Sequence, residues 1–177
     1  MSNVASRVVR LWRPAEILVG ALFIAGAMLK AGDVNQFVIQ ISFYGVLHTQ
    51  PSFVVAALCT LWLETALGFA LVLGARLRGA TLAATIALLL VFSGLIGYGS
   101  AFHGLKNCGC FGRAEMSPQV SIAKNVVLLG LCLFALFGYL RSRRPVFDLR
   151  LVLFLYAIPA LLACGVTAHA YAHVEAA

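Results

Sequence analysis

The chain has 177 residues, 62% of them hydrophobic and 11% charged, with a mean hydropathy of +0.98. Soluble domains carry about twice that charged fraction, so the composition excludes an ordinary soluble domain and defines an all-α, polytopic helical membrane bundle. The formal net charge of +7 does not point to nucleic acid, because the charges sit between apolar runs, where they reflect topology and lipid headgroups.

In chain order, Arg7, Arg10 and Arg13 open the sequence, and Pro14 marks an expected first helical position. A first span is expected over about 15–30. No small-residue cleavage site follows a short apolar core, so this span also serves as the insertion signal. The stretch from Asp33 to Gln50 is less apolar. In it Val34, Phe37, Val38, Ile41 and Tyr44 recur at helical spacing, which predicts an amphipathic helix at the interface or tucked against the bundle, ended by Pro51. A second span is predicted over 52–73 and a third over 79–99. A loop, 100–117, follows. Ser117-Pro118 reads as a helix cap and first position for a fourth span over 119–140. A fifth, 151–171, contains Pro159 and the kink it implies. Each is near the roughly twenty residues that a bilayer requires, the first being shortest. All 177 residues are read as one integral membrane domain.

Alternating spans place nine arginines on one face: Arg7, Arg10, Arg13, Arg76, Arg78, Arg141, Arg143, Arg144 and Arg150. The other face receives four cations, Lys30, Lys106, Arg113 and Lys124. Cytoplasmic loops gather Lys and Arg. The amino terminus is therefore expected in the cytoplasm, and the 100–117 loop in the periplasm or its equivalent, where disulfides form and persist. The expected location is the bacterial inner membrane.

That loop carries Asn107-Cys108-Gly109-Cys110-Phe111-Gly112. Residues two apart in an extended or turning chain lie about 5.5 to 7 Å apart at Cα, which overlaps the separation a disulfide accepts. Gly109 removes the side chain that would resist a tight ring. A strained, accessible disulfide is easily reduced, so the pair suits thiol–disulfide exchange. Lys106 and Arg113 flank it, and nearby cations favour the attacking thiolate. Two other readings stand beside this one. The pair can be a permanent staple in a scaffold or transporter. It can also be half of a metal site with His103, although closed zinc sites take four ligands and only copper(I) manages with two thiolates.

Other residues are weighed against plainer roles. Cys59, Cys132 and Cys164 lie within spans, where a free cysteine behaves as a small apolar residue; Cys59 and Cys164, at similar depths, are alternatively a relay pair. Glu64 sits mid-span, where a carboxyl is costly and is by default a functional candidate; the plain alternative is a helix-packing hydrogen bond. Lys30 and Lys124 lie at outer span ends and are expected to snorkel, with Asp33 or the cysteine loop as partners for Lys30. Tyr98 and His103 precede the motif and are placed to pass protons during exchange. His169 and His173 are too sparse for a metal site. Gly94, Gly97 and Gly99 are expected to permit close helix approach.

These residues together resemble the methylamine utilisation MauE family, within the wider DoxX-like group of membrane proteins. The matching features are Gly26, Lys30 and Asp33, then Phe37 and Tyr44, Glu64, Phe92, Gly104, Asn125 and above all Asn107-Cys108-Gly109-Cys110-Phe111-Gly112. The likeness covers about residues 10–140. It implies a membrane component that matures an exported, disulfide-containing client beside a periplasmic thioredoxin-like partner. Cys108 and Cys110 would carry the exchange, with Glu64 or His103 managing protons. DoxX-like relatives that work with quinones imply a quinone as electron acceptor, held in the outer leaflet near the loop. No other cofactor and no metal is expected, and the client and the direction of electron flow stay open.

Overall fold

The computed structural model describes residues 2–74, 78–105, 116–142 and 161. Five helices follow one another among the described residues: α1 (Ser2–Ala31), α2 (Val34–Ser42), α3 (Gln50–Leu73), α4 (Arg78–Phe102) and α5 (Pro118–Ser142). Four contain segments long and apolar enough to cross a bilayer, Trp12–Ala31, Gln50–Leu73, Arg78–Phe102 and Pro118–Arg141. The expected all-α membrane bundle is therefore what forms, with the first span the shortest at 20 residues against 24, 25 and 24. The fifth span expected over 151–171 lies, Leu161 apart, outside the described residues.

α1 packs along α3 and α5, α5 along α4, and α3 meets α4 less extensively. Val19, Phe23, Leu71, Leu82, Leu89, Leu128, Cys132 and Ala135 fill the core between them, so Cys132 takes the plain apolar role. α1 and α3 cross closely at Gly20 and Gly68. A Cβ on Gly20 would stand 2.7 Å from the Gly68 carbonyl oxygen, and one on Gly68 would stand 2.9 Å from that of Gly20. The glycines expected to do this lie elsewhere: among the described residues a Cβ on Gly94 or Gly97 would meet nothing within 4 Å, and one on Gly99 would stand 3.2 Å from the Tyr44 side chain and 3.3 Å from that of Leu105. Small residues tighten a helix pair only where the partner backbone crosses them.

Two expectations about prolines are corrected. Pro14 is not the first helical residue, because α1 already runs from Ser2 and holds Pro14 in its interior. The proline forfeits one backbone hydrogen bond, a loss that membrane helices accommodate. Nor does Pro51 end the amphipathic helix. α2 is nine residues long, and its end tightens through turn bonds from the Phe43, Tyr44 and Gly45 amides to the carbonyls of Gln40, Ile41 and Ser42. Gly45, at φ +70°, turns the chain away. Pro51 sits in the first turn of α3 after Thr49, where its missing N–H costs nothing.

Of the two positions expected for α2, the structure selects the tucked one. Val34, Phe37 and Val38 pack with Ala27 and Ala31 of α1 and with Ala57 and Leu61 of α3. Asp33 opens the helix, its carboxylate accepting from the Gln36 amide at 3.2 Å. α2 thus covers the end of the short first span. The Ser117-Pro118 start of α5 is also observed, with the Ser117 hydroxyl accepting from the Val120 amide at 3.4 Å.

The opposite end of the bundle gathers arginine and aromatic side chains. Arg13 donates to the Leu71 and Val72 carbonyls at 3.0 Å each, closing the end of α3. Arg78 lies over the Trp12 ring, and Trp12 meets Tyr139 edge-on. The described arginines of α1, α4 and α5 therefore share one end, as the charge count requires.

Candidate functional site

Lys30 is the penultimate residue of α1. Side chains on a helix lean toward its N-terminus, so this ammonium is carried back into the bundle, away from the end that α2 covers. Glu64 lies about 21 Å along α3 from Gln50. The two meet: Lys30 Nζ is 2.5 Å from Oε1 and 2.7 Å from Oε2 of Glu64, with only 5% and 7% of the two residues exposed. Neither snorkelling nor pairing with Asp33 describes Lys30, since α2 closes the route to the surface. The plain alternative for Glu64, a packing hydrogen bond, is in fact a bidentate ion pair.

Aromatic rings complete the surroundings. The Lys30 ammonium sits 5.3 Å from the Phe37 ring centroid and 5.6 Å from that of Phe92, within the range at which a ring face attracts a cation. Two cavities meet at Lys30 and Phe92. The larger, about 200 Å³, lies among α2, the turn after it, α3 and α4, and is lined by Phe37, Tyr44, Val46, Ala56, Thr60 and Ile96 among others. The smaller, about 110 Å³, is central and includes Gly26, Glu64, Lys124 and Asn125. Asn125 donates to the Ser93 hydroxyl at 3.2 Å, which itself donates to the Leu89 carbonyl at 2.8 Å, so α4 and α5 are tied beside this space.

The sequence-predicted residues do not all converge. Glu64 is buried in the ion pair. His103 is exposed just past α4 and lines neither cavity; its ring packs 5.3 Å from that of Tyr98 and covers Gly45. Glu64 and His103 therefore do not share a site. Cys108, Cys110 and Cys164 lie outside the described residues, as do Lys106 and Arg113. Leu105 and Met116, the described residues bordering the cysteine segment, share one cluster with Ile96, Tyr44 and Ile122. Two of its members, Tyr44 and Ile96, also line the larger cavity. Cys59 is exposed on α3. Among the described residues no group of three or more His, Cys, Asp or Glu side chains could hold a metal ion.

One buried acid escaped the reading of the sequence. Glu16 is 1% exposed and accepts from Arg13 at 2.6 Å, while its Oε1 has no hydrogen-bond partner among the described residues. The spacing of three between Arg13 and Glu16 is the signal that pairs them on one helix face.

Fold and site together define a polytopic helical membrane protein built around an ion pair inside its bundle. The chain belongs to the methylamine utilisation protein MauE family, whose model matches residues 7–138. No curated protein and no solved structure matches it. Seven residues that carry the resemblance, Gly26, Lys30, Phe37, Tyr44, Glu64, Phe92 and Asn125, line the two cavities.

Proposed function

We propose that the protein exchanges disulfides through Cys108 and Cys110 with a thioredoxin-like partner, supporting the maturation of an exported, disulfide-containing client. The observation that carries this reading is the shared packing of Leu105 and Met116, which anchors both borders of the Cys-Gly-Cys segment at the end of the bundle away from Arg13, Arg78 and Arg141. The uneven distribution of cations, nine against four, supports a periplasmic position for that end. Membership of the MauE family supports a role in maturing another protein.

The exchange balances with no further reagent. A thiolate of one couple attacks a sulfur of the other couple's disulfide, which breaks as a mixed disulfide forms. The neighbouring thiolate then attacks the mixed disulfide and closes a new intramolecular S–S bond. Two electrons and two protons have passed between the partners, and either couple can begin as the reduced one. The bundle's part is to hold the two cysteines at the membrane surface.

A Cys110→Ser variant in native membranes tests the reading. A mixed disulfide through Cys108, its partner identified by mass spectrometry, is the expected result. A Cys108–Cys110 pair that stays oxidised whatever the redox state of its surroundings would favour a stapled scaffold. Normal client maturation with alanine at both positions would end the proposal.

A further inference from the structure

We infer that Arg13 and Arg78 form a docking site for the phosphate of an anionic membrane lipid, at the arginine-rich end of the bundle. The inference rests on no part of the thiol exchange. Depth comes first. Trp12 begins the first span and Arg78 the third, while Leu73 and Arg141 end the second and the fourth. Arg13, Gly74, Arg78 and Tyr139 therefore lie where apolar chain gives way to charge, the level at which lipid headgroups sit.

Two guanidinium groups converge there. A Cβ on Gly74 would collide with Arg13 Nη2 and stand 2.9 Å from Arg78 Nη2, so both cations reach one point beside a residue that has no side chain. Like charges held this close repel one another. Glu16 offsets only part of the repulsion. Among the described residues it is the only acid at this end, and it pairs with Arg13 through Nη1, whereas Nη2 faces Gly74. Arg78 meets no acid among the described residues; its Cζ lies 5.2 Å from the Trp12 ring centroid. Two cations thus share one carboxylate, and a singly charged phosphodiester supplies the balance. Basic pockets between helices at a membrane surface take such headgroups.

The site is assembled in advance. Arg13 donates to the Leu71 and Val72 carbonyls and to Glu16, three contacts from a group with five N–H donors, so donors remain for a phosphate oxygen. Trp12 is seated against α5, where a Cβ on Gly138 would stand 2.6 Å from the Trp12 Cβ, and its ring holds Arg78 in place. Donors fixed before a ligand arrives lose little freedom on binding, and the planar guanidinium fork matches phosphate oxygens. Leu73, exposed next to Gly74, offers apolar surface to an acyl chain. A free phosphate would gain nothing from it, and a phospholipid does.

The test uses the purified full chain in a neutral detergent, titrated with phosphatidylglycerol and followed by native mass spectrometry. Saturable binding is expected. Phosphatidylcholine, whose choline cancels the phosphate charge, should bind about tenfold more weakly or worse. Millimolar inorganic phosphate should not displace the lipid. Arg78→Gln leaves the Arg13 contacts in place and should weaken phosphatidylglycerol binding about tenfold, the loss of one charge-assisted hydrogen bond. Arg78→Lys keeps the charge without the fork and should fall between. Arg141→Gln removes an equal charge from an exposed position over Phe137 and should change nothing. Replacing both Cys108 and Cys110 by alanine should also leave binding intact, which separates this inference from the thiol exchange. Circular dichroism shows which variants are folded, and the lipid preference of the unmodified chain needs no variant at all. Equal affinity for the two lipids, displacement by inorganic phosphate, undiminished binding by folded Arg78→Gln, or an equal loss in Arg141→Gln would overturn the inference.

Discussion

Lys30 and Glu64, 34 positions apart, close a two-point ion pair between α1 and α3 with Nζ–O distances of 2.5 and 2.7 Å. The contact joins the end of the shortest span to the interior of its neighbour, beneath α2. Removing one partner leaves the other charged and buried without its counter-charge, and that penalty exceeds the net worth of the pair.

Lys30→Met alone, or Glu64→Leu alone, is therefore expected to destabilise the folded bundle by about 3–5 kcal/mol. The two changes together should cost far less than either. Reversible unfolding in mixed detergent, arranged as a double-mutant cycle, measures this; additive losses would mean that the pair is not coupled.

The crossing of α1 and α3 allows no side chain at its centre. Gly68→Ala would push a Cβ to 2.8 Å from Ile24 Cγ1 and 2.9 Å from the Gly20 carbonyl oxygen, and overpacking of this kind costs about 1–3 kcal/mol. Gly94→Ala and Gly97→Ala, which would meet nothing within 4 Å among the described residues, should be neutral or slightly stabilising. Melting temperatures of the three variants should separate them clearly.

Gly45 combines a left-handed backbone, φ +70°, with the His103 ring lying where a Cβ would go. Gly45→Ala should lose about 1–2 kcal/mol from the backbone alone, and more from the collision. Adding His103→Ala should recover the second part only. Partial rescue in thermal unfolding is the expected reading, and full rescue would show that the backbone conformation carries no strain.

Cys59 and Cys132 should differ sharply toward a membrane-soluble maleimide. Cys59 is exposed on α3 and Cys132 is 0% exposed within the core. Mass spectrometry of the folded, reduced protein should find label at Cys59, with Cys132 modified only after unfolding. Equal labelling of both would contradict the packing of α5 against α1 and α4.

Reading individual residues in the sequence worked where the physics is local. The Ser117-Pro118 start of α5 was legible because a cap and a missing N–H act within one turn. Val34, Phe37 and Val38 marked the buried face of α2 through helical spacing. Pro51 misled because a proline can follow one helix or begin the next, and the turn bonds at Phe43 to Gly45 ended α2 first. Lys30 misled for another reason. At a span end an exposed lysine snorkels, and nothing in the neighbouring residues reveals that a later helix will fold over it.

By itself the sequence determined the membrane class, the four described spans, the end of the bundle that collects arginine, and the position of the Cys-Gly-Cys motif between two spans. These follow from hydropathy, length and charge, which are summed along the chain. Only the tertiary structure decided that Lys30 meets Glu64, that Gly20 and Gly68 make the close crossing, and that His103 stands apart from the ion pair. Each depends on which helix faces lie together, and the bilayer drives helices into an apolar phase without choosing their neighbours. Packing and the satisfaction of buried polar groups make that choice.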